Sequence, residues 1–114
     1  MPFIGTKTTV KIDAEQEKRL KTALGKAIEL LPGKTEAWLM LSFEDNVKMY
    51  FKGDNSRPCA LVEVQLFGAA GEDAYARMTA EVCRVFEDVL GIPSDRTYVK
   101  YEECGHWGWN GVNF

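Results

Sequence analysis

The feature that most constrains this chain is an order of elements that occurs twice. A strand predicted at 3–10 (FIGTKTTV) leads through an amphipathic helix into an apolar strand at 37–43 (AWLMLSF). The order returns with a strand at 59–67 (CALVEVQLF), a second helix and a strand at 96–101 (RTYVKY). A strand that passes through a helix into a parallel strand forms a right-handed unit. The chain is therefore predicted to be an α/β protein with a duplicated β-α-β unit.

Both predicted helices carry signals at their ends. Asp13 and Gln16 form a capping-box pattern at the first helix, and Pro32 follows its last apolar residue. The second helix is predicted to begin at about Asp73 and to end at Gly91. Each helix has one apolar face, formed by Leu20, Ala23, Leu24, Ala27, Ile28 and Leu31 in the first and by Tyr75, Met78, Val82, Val85, Phe86 and Val89 in the second.

The predicted architecture is a four-stranded mixed sheet with two helices on one face, within a single domain over 1–114. The strands at 37–43 and 59–67 do not alternate cleanly, so apolar residues are expected on both faces of the sheet. An apolar face without a cover needs a partner, which predicts an oligomer. A shorter strand is predicted at 47–52 and a loop at 53–58.

Composition and cysteine spacing exclude several kinds of function. The chain has 14 Lys+Arg and 17 Asp+Glu, so it lacks the excess of basic residues that is typical of nucleic-acid-binding proteins. No apolar run approaches the roughly 20 residues of a membrane helix. The three cysteines form no CxxC pair, and Cys104 with His106 has no matching ligands, so no metal site is predicted. No signal peptide is visible, so we expect a cytoplasmic protein, with export by another route left open.

Two terminal features allow either a structural or a chemical interpretation. Pro2 could be the tolerated first residue of a strand. After removal of Met1, its nitrogen would instead be a free secondary amine that can act as a base or nucleophile. The tail at 104–114 (CGHWGWNGVNF) carries Trp107, Trp109 and Phe114. These aromatic residues are expected to pack on their own subunit or on a neighbour, and could line a pocket.

Five segments occur in an order that resembles the macrophage migration inhibitory factor family of the tautomerase superfamily. They are MPFIG, PGKTEAWL, RPCALVEVQLFG, SDRTYVKY and GWN, and the resemblance spans essentially the whole chain. It implies a homotrimer whose three sheets form a barrel. It also implies cofactor-free keto–enol tautomerisation of phenylpyruvate-like aromatic α-keto acids at sites between subunits. The catalytic base would be Pro2, exposed by removal of Met1.

The resemblance also assigns substrate-binding residues. Lys34 matches the family's active-site lysine, Phe67 a position whose backbone N–H points into the pocket, and Tyr98 a tyrosine from the neighbouring subunit. Four aromatic residues match positions that line the pocket mouth in the family, or lie beside such positions: Trp38, Trp107, Trp109 and Phe114.

Two departures from the family pattern bear on function. Val62 replaces the second cysteine of a CALC motif, which argues against thiol-oxidoreductase activity. Lys100 stands where well-known members have asparagine, and a second lysine could bind a substrate carboxylate or alter substrate choice.

Three functions are compatible with this pattern. The first is a tautomerase, the second a cytokine-like ligand of a cell-surface receptor with vestigial catalysis, and the third a structural oligomer. An intact set of Pro2, Lys34 and Tyr98 favours the first over the third. Nothing in the sequence separates the enzyme from the receptor ligand.

Overall fold

The structure has the predicted order of elements, in which a β-α-β unit occurs twice. The structure, a computed structural model, describes all 114 residues. The first unit contains β1 (Pro2–Thr8), α1 (Ala14–Ala27) and β2 (Met40–Glu44). The second contains β3 (Ala60–Phe67), α2 (Glu72–Leu90) and β4 (Thr97–Cys104), and a short hairpin of β5 (Gly108–Trp109) and β6 (Val112–Asn113) closes the chain.

The sheet has the strand order β2-β1-β3-β4. Within each unit the two strands are parallel, whereas β1 and β3 run antiparallel at the centre. Each parallel pair is joined by its crossover helix, as parallel pairing requires. The predicted four-stranded mixed sheet with a duplicated β-α-β unit is therefore confirmed.

Both helices cover the same face of the sheet. Side chains alternate along a strand, and every second residue of β3 is buried beneath the helices. These residues form one apolar core with the helix faces, which includes Ile4, Val62, Val64, Leu66, Leu20, Leu24, Met78 and Phe86. Neither helix combines the length and the apolar character needed to span a membrane.

The helix ends follow their sequence signals. Gln16 N donates to Asp13 Oδ1 at 2.8 Å, and Asp13 N donates to Gln16 Oε1 at 3.0 Å, which completes the capping box. Gly91 ends α2 in a left-handed conformation with φ of 69°, where a residue without a Cβ is favoured.

Two predicted strands need correction. Residues 47–52 form no strand, because Lys52 and Gly53 both adopt positive φ and fold the chain back, leaving only an isolated bridge between Phe51 and Asp54. The strand predicted at 37–43 begins only at Met40, because Glu36–Trp38 forms a 3₁₀ turn. As an edge strand, β2 is half-buried or exposed rather than buried.

The uncovered face of the sheet is mixed: apolar residues lie at its two ends, as expected, and its centre is polar. On this face β3 presents Leu61 and Phe67 at its ends, with Glu63 and Gln65 between them beside Lys100 and Glu102 of β4. Lys100 Nζ lies 3.4 Å from Glu63 Oε2 and 3.5 Å from Glu102 Oε1. Within 59–67 apolar and polar residues alternate strictly only over 62–66, because apolar residues adjoin this stretch at both ends.

Candidate active site

A cavity of about 600 Å³ opens where the amino terminus, the start of β2 and the carboxyl-terminal hairpin meet. Most of its lining is apolar or aromatic, as is usual for small-molecule sites. The lining residues are Met1, Pro2, Phe3, Ala37, Trp38, Leu39, Met40, Gln65, Trp107, Gly108 and Trp109. The cavity thus brings together four predicted site residues from both ends of the chain and from its middle.

The amino terminus at this cavity lies beside a lysine. Burial is the main cause that lowers the pKa of the Met1 α-amine, and the charge and hydrogen bonding of Lys34 lower it further. Lys34 is half-buried, and its Nζ donates to the Phe67 carbonyl oxygen at 3.0 Å. Pro2, the next residue along β1, is buried. These surroundings therefore favour the neutral form of an amine at this end of the chain.

The backbone of Phe67 completes the group around the amino terminus. Its N–H donates to the Met1 carbonyl oxygen at 3.0 Å, which joins the last residue of β3 to the residue before β1. The Phe67 ring packs against the ring of Phe114, with centroids 5.7 Å apart. Lys34, Phe67 and the amino terminus are therefore in mutual contact.

Tryptophans from two distant segments form the wall of the cavity. Trp38 and Trp109 pack edge to face with ring centroids 5.0 Å apart, and each is about half exposed, at 49% and 48%. The Phe114 N–H donates to the Trp107 carbonyl oxygen at 3.0 Å and closes the hairpin. The tail therefore packs on its own chain and contributes to the cavity, so both of the roles considered for it occur together.

Neither Tyr98 nor Lys100 of the same chain lines the cavity, and Tyr98 lies far from it. Tyr98 pairs with Leu61, whereas Pro2 pairs with Leu66, five residues further along β3. At about 3.3–3.4 Å per residue this is roughly 17 Å along the strand. The exposed Tyr98 ring instead packs edge to face on Phe51, with centroids 5.1 Å apart. A site that uses Tyr98 must therefore take it from another copy of the chain.

The sequence analysis overlooked one polar residue of the cavity, Gln65. Residues of β3 with odd numbers share one face, so Gln65 lies on the same face as Phe67. Period-two alternation counted back from Phe67 could have identified it. Phe3 and Met40 line the same cavity because both strands present their uncovered faces there.

A duplicated β-α-β sheet with Pro2 at the edge of an aromatic cavity is the arrangement of the tautomerase superfamily. The family model described as Macrophage migration inhibitory factor (MIF) matches residues 1–114. The chain therefore belongs to the macrophage migration inhibitory factor family. Members of this family are tautomerase-type isomerases and are typically homotrimers.

Solved structures and curated relatives agree with this assignment. The structure is similar to that of Leishmania major MIF2, with 33% identity, a TM-score of 0.92 and coverage of 100% of this chain and 97% of that one. A macrophage migration inhibitory factor homologue from Prochlorococcus marinus has 36% identity and a TM-score of 0.88, with 98% of both chains covered. The macrophage migration inhibitory factor of Meriones unguiculatus is 28% identical over 116 residues, covering 100% of this chain and 99% of its own.

Proposed function

We propose that this protein catalyses the keto–enol tautomerisation of phenylpyruvate-like aromatic α-keto acids without a cofactor. Pro2 is the general base in this proposal, once Met1 has been removed. The observation that carries the proposal is the contact of Lys34 and the Phe67 backbone with an amino terminus that itself lines an aromatic cavity.

Removal of Met1 transfers the free amine to the Pro2 nitrogen, one residue further along the chain. The causes that lower the pKa of the present α-amine, burial and the Lys34 charge, would act there as well. Proton abstraction requires the neutral amine, and a base works best when its pKa lies near the working pH. The surroundings thus favour a base that is active at neutral pH.

The same removal releases a hydrogen-bond donor. The Phe67 N–H now donates to the Met1 carbonyl oxygen, and this acceptor leaves with Met1. A freed N–H next to the new amine, together with the Lys34 ammonium, could bind the oxygen atoms of a keto acid. A single cleavage therefore creates the base and uncovers a donor for the developing negative charge.

These groups account for the chemical steps. The Pro2 amine takes a proton from the carbon next to the keto group, and the negative charge that develops on the keto oxygen is stabilised by the neighbouring donors. The protonated amine then returns the proton to the enolate oxygen to give the enol. In the reverse direction the same nitrogen delivers a proton to carbon. The amine is regenerated in its neutral form, and the product is an isomer of the substrate.

The aromatic wall favours an aromatic substrate. Trp38 and Trp109 present their rings to a cavity with space for a phenyl group. Edge or stacking contacts contribute about 0.5–1.5 kcal/mol each beyond the burial of area. A carboxylate held near Lys34 would leave the rest of the substrate in the cavity that the tryptophans line.

A homotrimer is part of the proposal. In this arrangement Tyr98 and Lys100 of one subunit border the cavity of the next, since neither lines the cavity of its own chain. Tyr98 is 63% exposed, and β2 and β4 are open sheet edges, so both are accessible to another copy. The usual homotrimeric state of the family supports this assembly.

The test is a phenylpyruvate tautomerisation assay, followed by the change in ultraviolet absorbance, on protein whose amino terminus has been established by mass spectrometry. Protein that begins at Pro2 is expected to be active. A control with one extra residue fixed ahead of Pro2, which keeps its nitrogen as an amide, is expected to be inactive. Equal activity of the two proteins would rule out the amine as the base.

A further inference from the structure

Gln65 differs chemically from the other residues that line the cavity. It has the only lining side chain with both a strong hydrogen-bond donor and a strong acceptor, since the tryptophan indoles only donate. A carboxamide in an otherwise apolar pocket fixes orientation and provides specificity for a ligand. Gln65 is thus the position at which this cavity can distinguish ligands by their polar groups.

The Gln65 carboxamide is not engaged by the chain itself. Its side chain forms no hydrogen bond to the chain. Thr6 Oγ1 is the only enclosed side-chain polar atom without a partner, so the amide atoms of Gln65 are not enclosed. Its neighbours across the sheet are Phe3 on one side, which is apolar, and Glu102 on the other. The half-buried carboxamide is therefore free to pair with a bound molecule.

The register of β3 sets the separation between Gln65 and the carboxylate-binding end of the site. Gln65 lies two residues from Phe67 on the same face, which is about 6.7 Å along the strand. Lys34 Nζ lies 3.0 Å from the Phe67 carbonyl oxygen. An aromatic keto acid whose carboxylate is held by Lys34 would therefore bring the far side of its ring within reach of the flexible Gln65 side chain.

We propose that Gln65 is a specificity-determining residue, whose carboxamide hydrogen-bonds a polar substituent on the substrate ring, remote from the carboxylate. The inference rests on the proposed function for the identity of the site. It favours an α-keto acid with a hydroxylated ring over one with a bare phenyl ring, because a bare ring leaves the carboxamide unpaired inside the cavity.

The experiment compares phenylpyruvate with its 4-hydroxyphenyl analogue in the wild type, Gln65→Met and Leu61→Met. Methionine keeps the length of glutamine but lacks the amide. Leu61→Met places the same residue on the same face of β3 outside the cavity, as a matched control. We expect the wild type and the control to prefer the hydroxylated substrate about tenfold in kcat/KM. Gln65→Met should lose that preference, mainly through a higher KM for the hydroxylated substrate.

A binding measurement separates this inference from the proposed function. The probes are two unreactive acids, 3-phenylpropionate and 3-(4-hydroxyphenyl)propionate, and the signal is tryptophan fluorescence. If the wild type converts neither keto acid, the proposed function fails, but a tenfold binding preference lost only in Gln65→Met still supports the role of Gln65. An unchanged ratio of the two acids in Gln65→Met would overturn the inference, whether or not the protein is catalytically active.

Discussion

Lys34 has two roles in the proposed site that a single substitution can separate. It lowers the pKa of the terminal amine, and its ammonium group can hold the substrate carboxylate. Burial is the largest of the three causes of the lowered pKa, and a neutral residue at position 34 removes the other two, the charge and the hydrogen bonding of Lys34.

We predict that Lys34→Met shifts the rise of kcat/KM with pH to higher pH. The base acts when neutral, so activity increases with pH through the pKa of the amine, and loss of the nearby cation raises that pKa. The lost contact with the carboxylate should lower the plateau by about ten- to a hundredfold. The measurement is a pH–rate profile, with Lys26→Met on the exposed side of α1 as the control. A profile that stays in place or moves to lower pH would contradict this role.

The residues predicted for the site separate into two groups for a physical reason. Pro2, Lys34, Phe67 and the tail aromatics come together because the strand register and the loop after α1 place them at one end of the sheet. These positions follow from features within one chain. The assigned roles of Tyr98 and Lys100 depend on a second copy, so the fold of a single chain leaves them as predictions. Gln65 was missed because a polar residue on an outward strand position is ordinary.

At the scale of elements, the local signals predicted the helices and the central strands well. The capping box and Gly91 fix the helix ends, and alternation fixes β3. The 3₁₀ turn before β2 has a tertiary cause that periodicity does not reveal. The Glu36 side chain packs where Gly25 lacks a Cβ and lies 3.3 Å from Lys21 Nζ, which holds the turn against α1.

The loop before β3 is organised by a buried arginine, Arg96, whose side chain is 2% exposed. Its Nε donates to the Pro58 carbonyl oxygen at 2.9 Å, and its Nη2 donates to those of Asp54 and Arg57 at 3.0 Å each. Its guanidinium also lies over the ring of Phe51, 5.3 Å from the centroid. These long-range contacts explain why residues 51–58 form a compact loop.

We predict that Arg96→Met lowers the free energy of unfolding by about 2–4 kcal/mol, because it leaves several backbone carbonyls without a donor. Urea unfolding at a fixed protein concentration measures this change. Arg57→Met is the control, since the Arg57 side chain is 62% exposed and its loss should change stability by no more than about 0.5 kcal/mol. Equal stability of the two variants would show that the buried guanidinium does not organise the loop.

At the scale of the whole molecule, the polar centre of the uncovered sheet face changes the argument for assembly. Glu63, Lys100 and Glu102 form partly exposed ion pairs there, so the apolar surface that assembly can bury lies at the two ends of the face. In the proposed trimer this face lines the inside of a barrel, and the contacts between subunits fall at the open edges, β2 and β4. Tyr98 lies in the edge strand β4, so in the proposed trimer it lies at a contact with another copy of the chain.

Mixed trimers test the shared site. We predict that Pro2→Gly protein and Tyr98→Ala protein are each impaired alone, and that activity returns when equal amounts are unfolded together and refolded. A random mixture would regain about a quarter of its sites, because a site needs Pro2 from one subunit and Tyr98 from its neighbour. Each variant refolded separately and then combined is the control. No recovery in trimers that contain both variants, or a stable monomer by light scattering at micromolar concentration, would exclude the shared site.

The most direct test of the central claim is the kcat/KM of Pro2→Gly for phenylpyruvate, with the amino terminus of both proteins confirmed by mass spectrometry. Glycine keeps a terminal amine and, at the first residue of β1, leaves the sheet intact, so circular dichroism should match that of the wild type. Because a flexible primary amine replaces the fixed secondary amine of proline, kcat/KM is expected to fall by about tenfold or more, toward the loss of about 10²–10⁴-fold that marks a missing general base. A Pro2→Gly protein that starts at residue 2 and turns over at the wild-type rate would contradict the account.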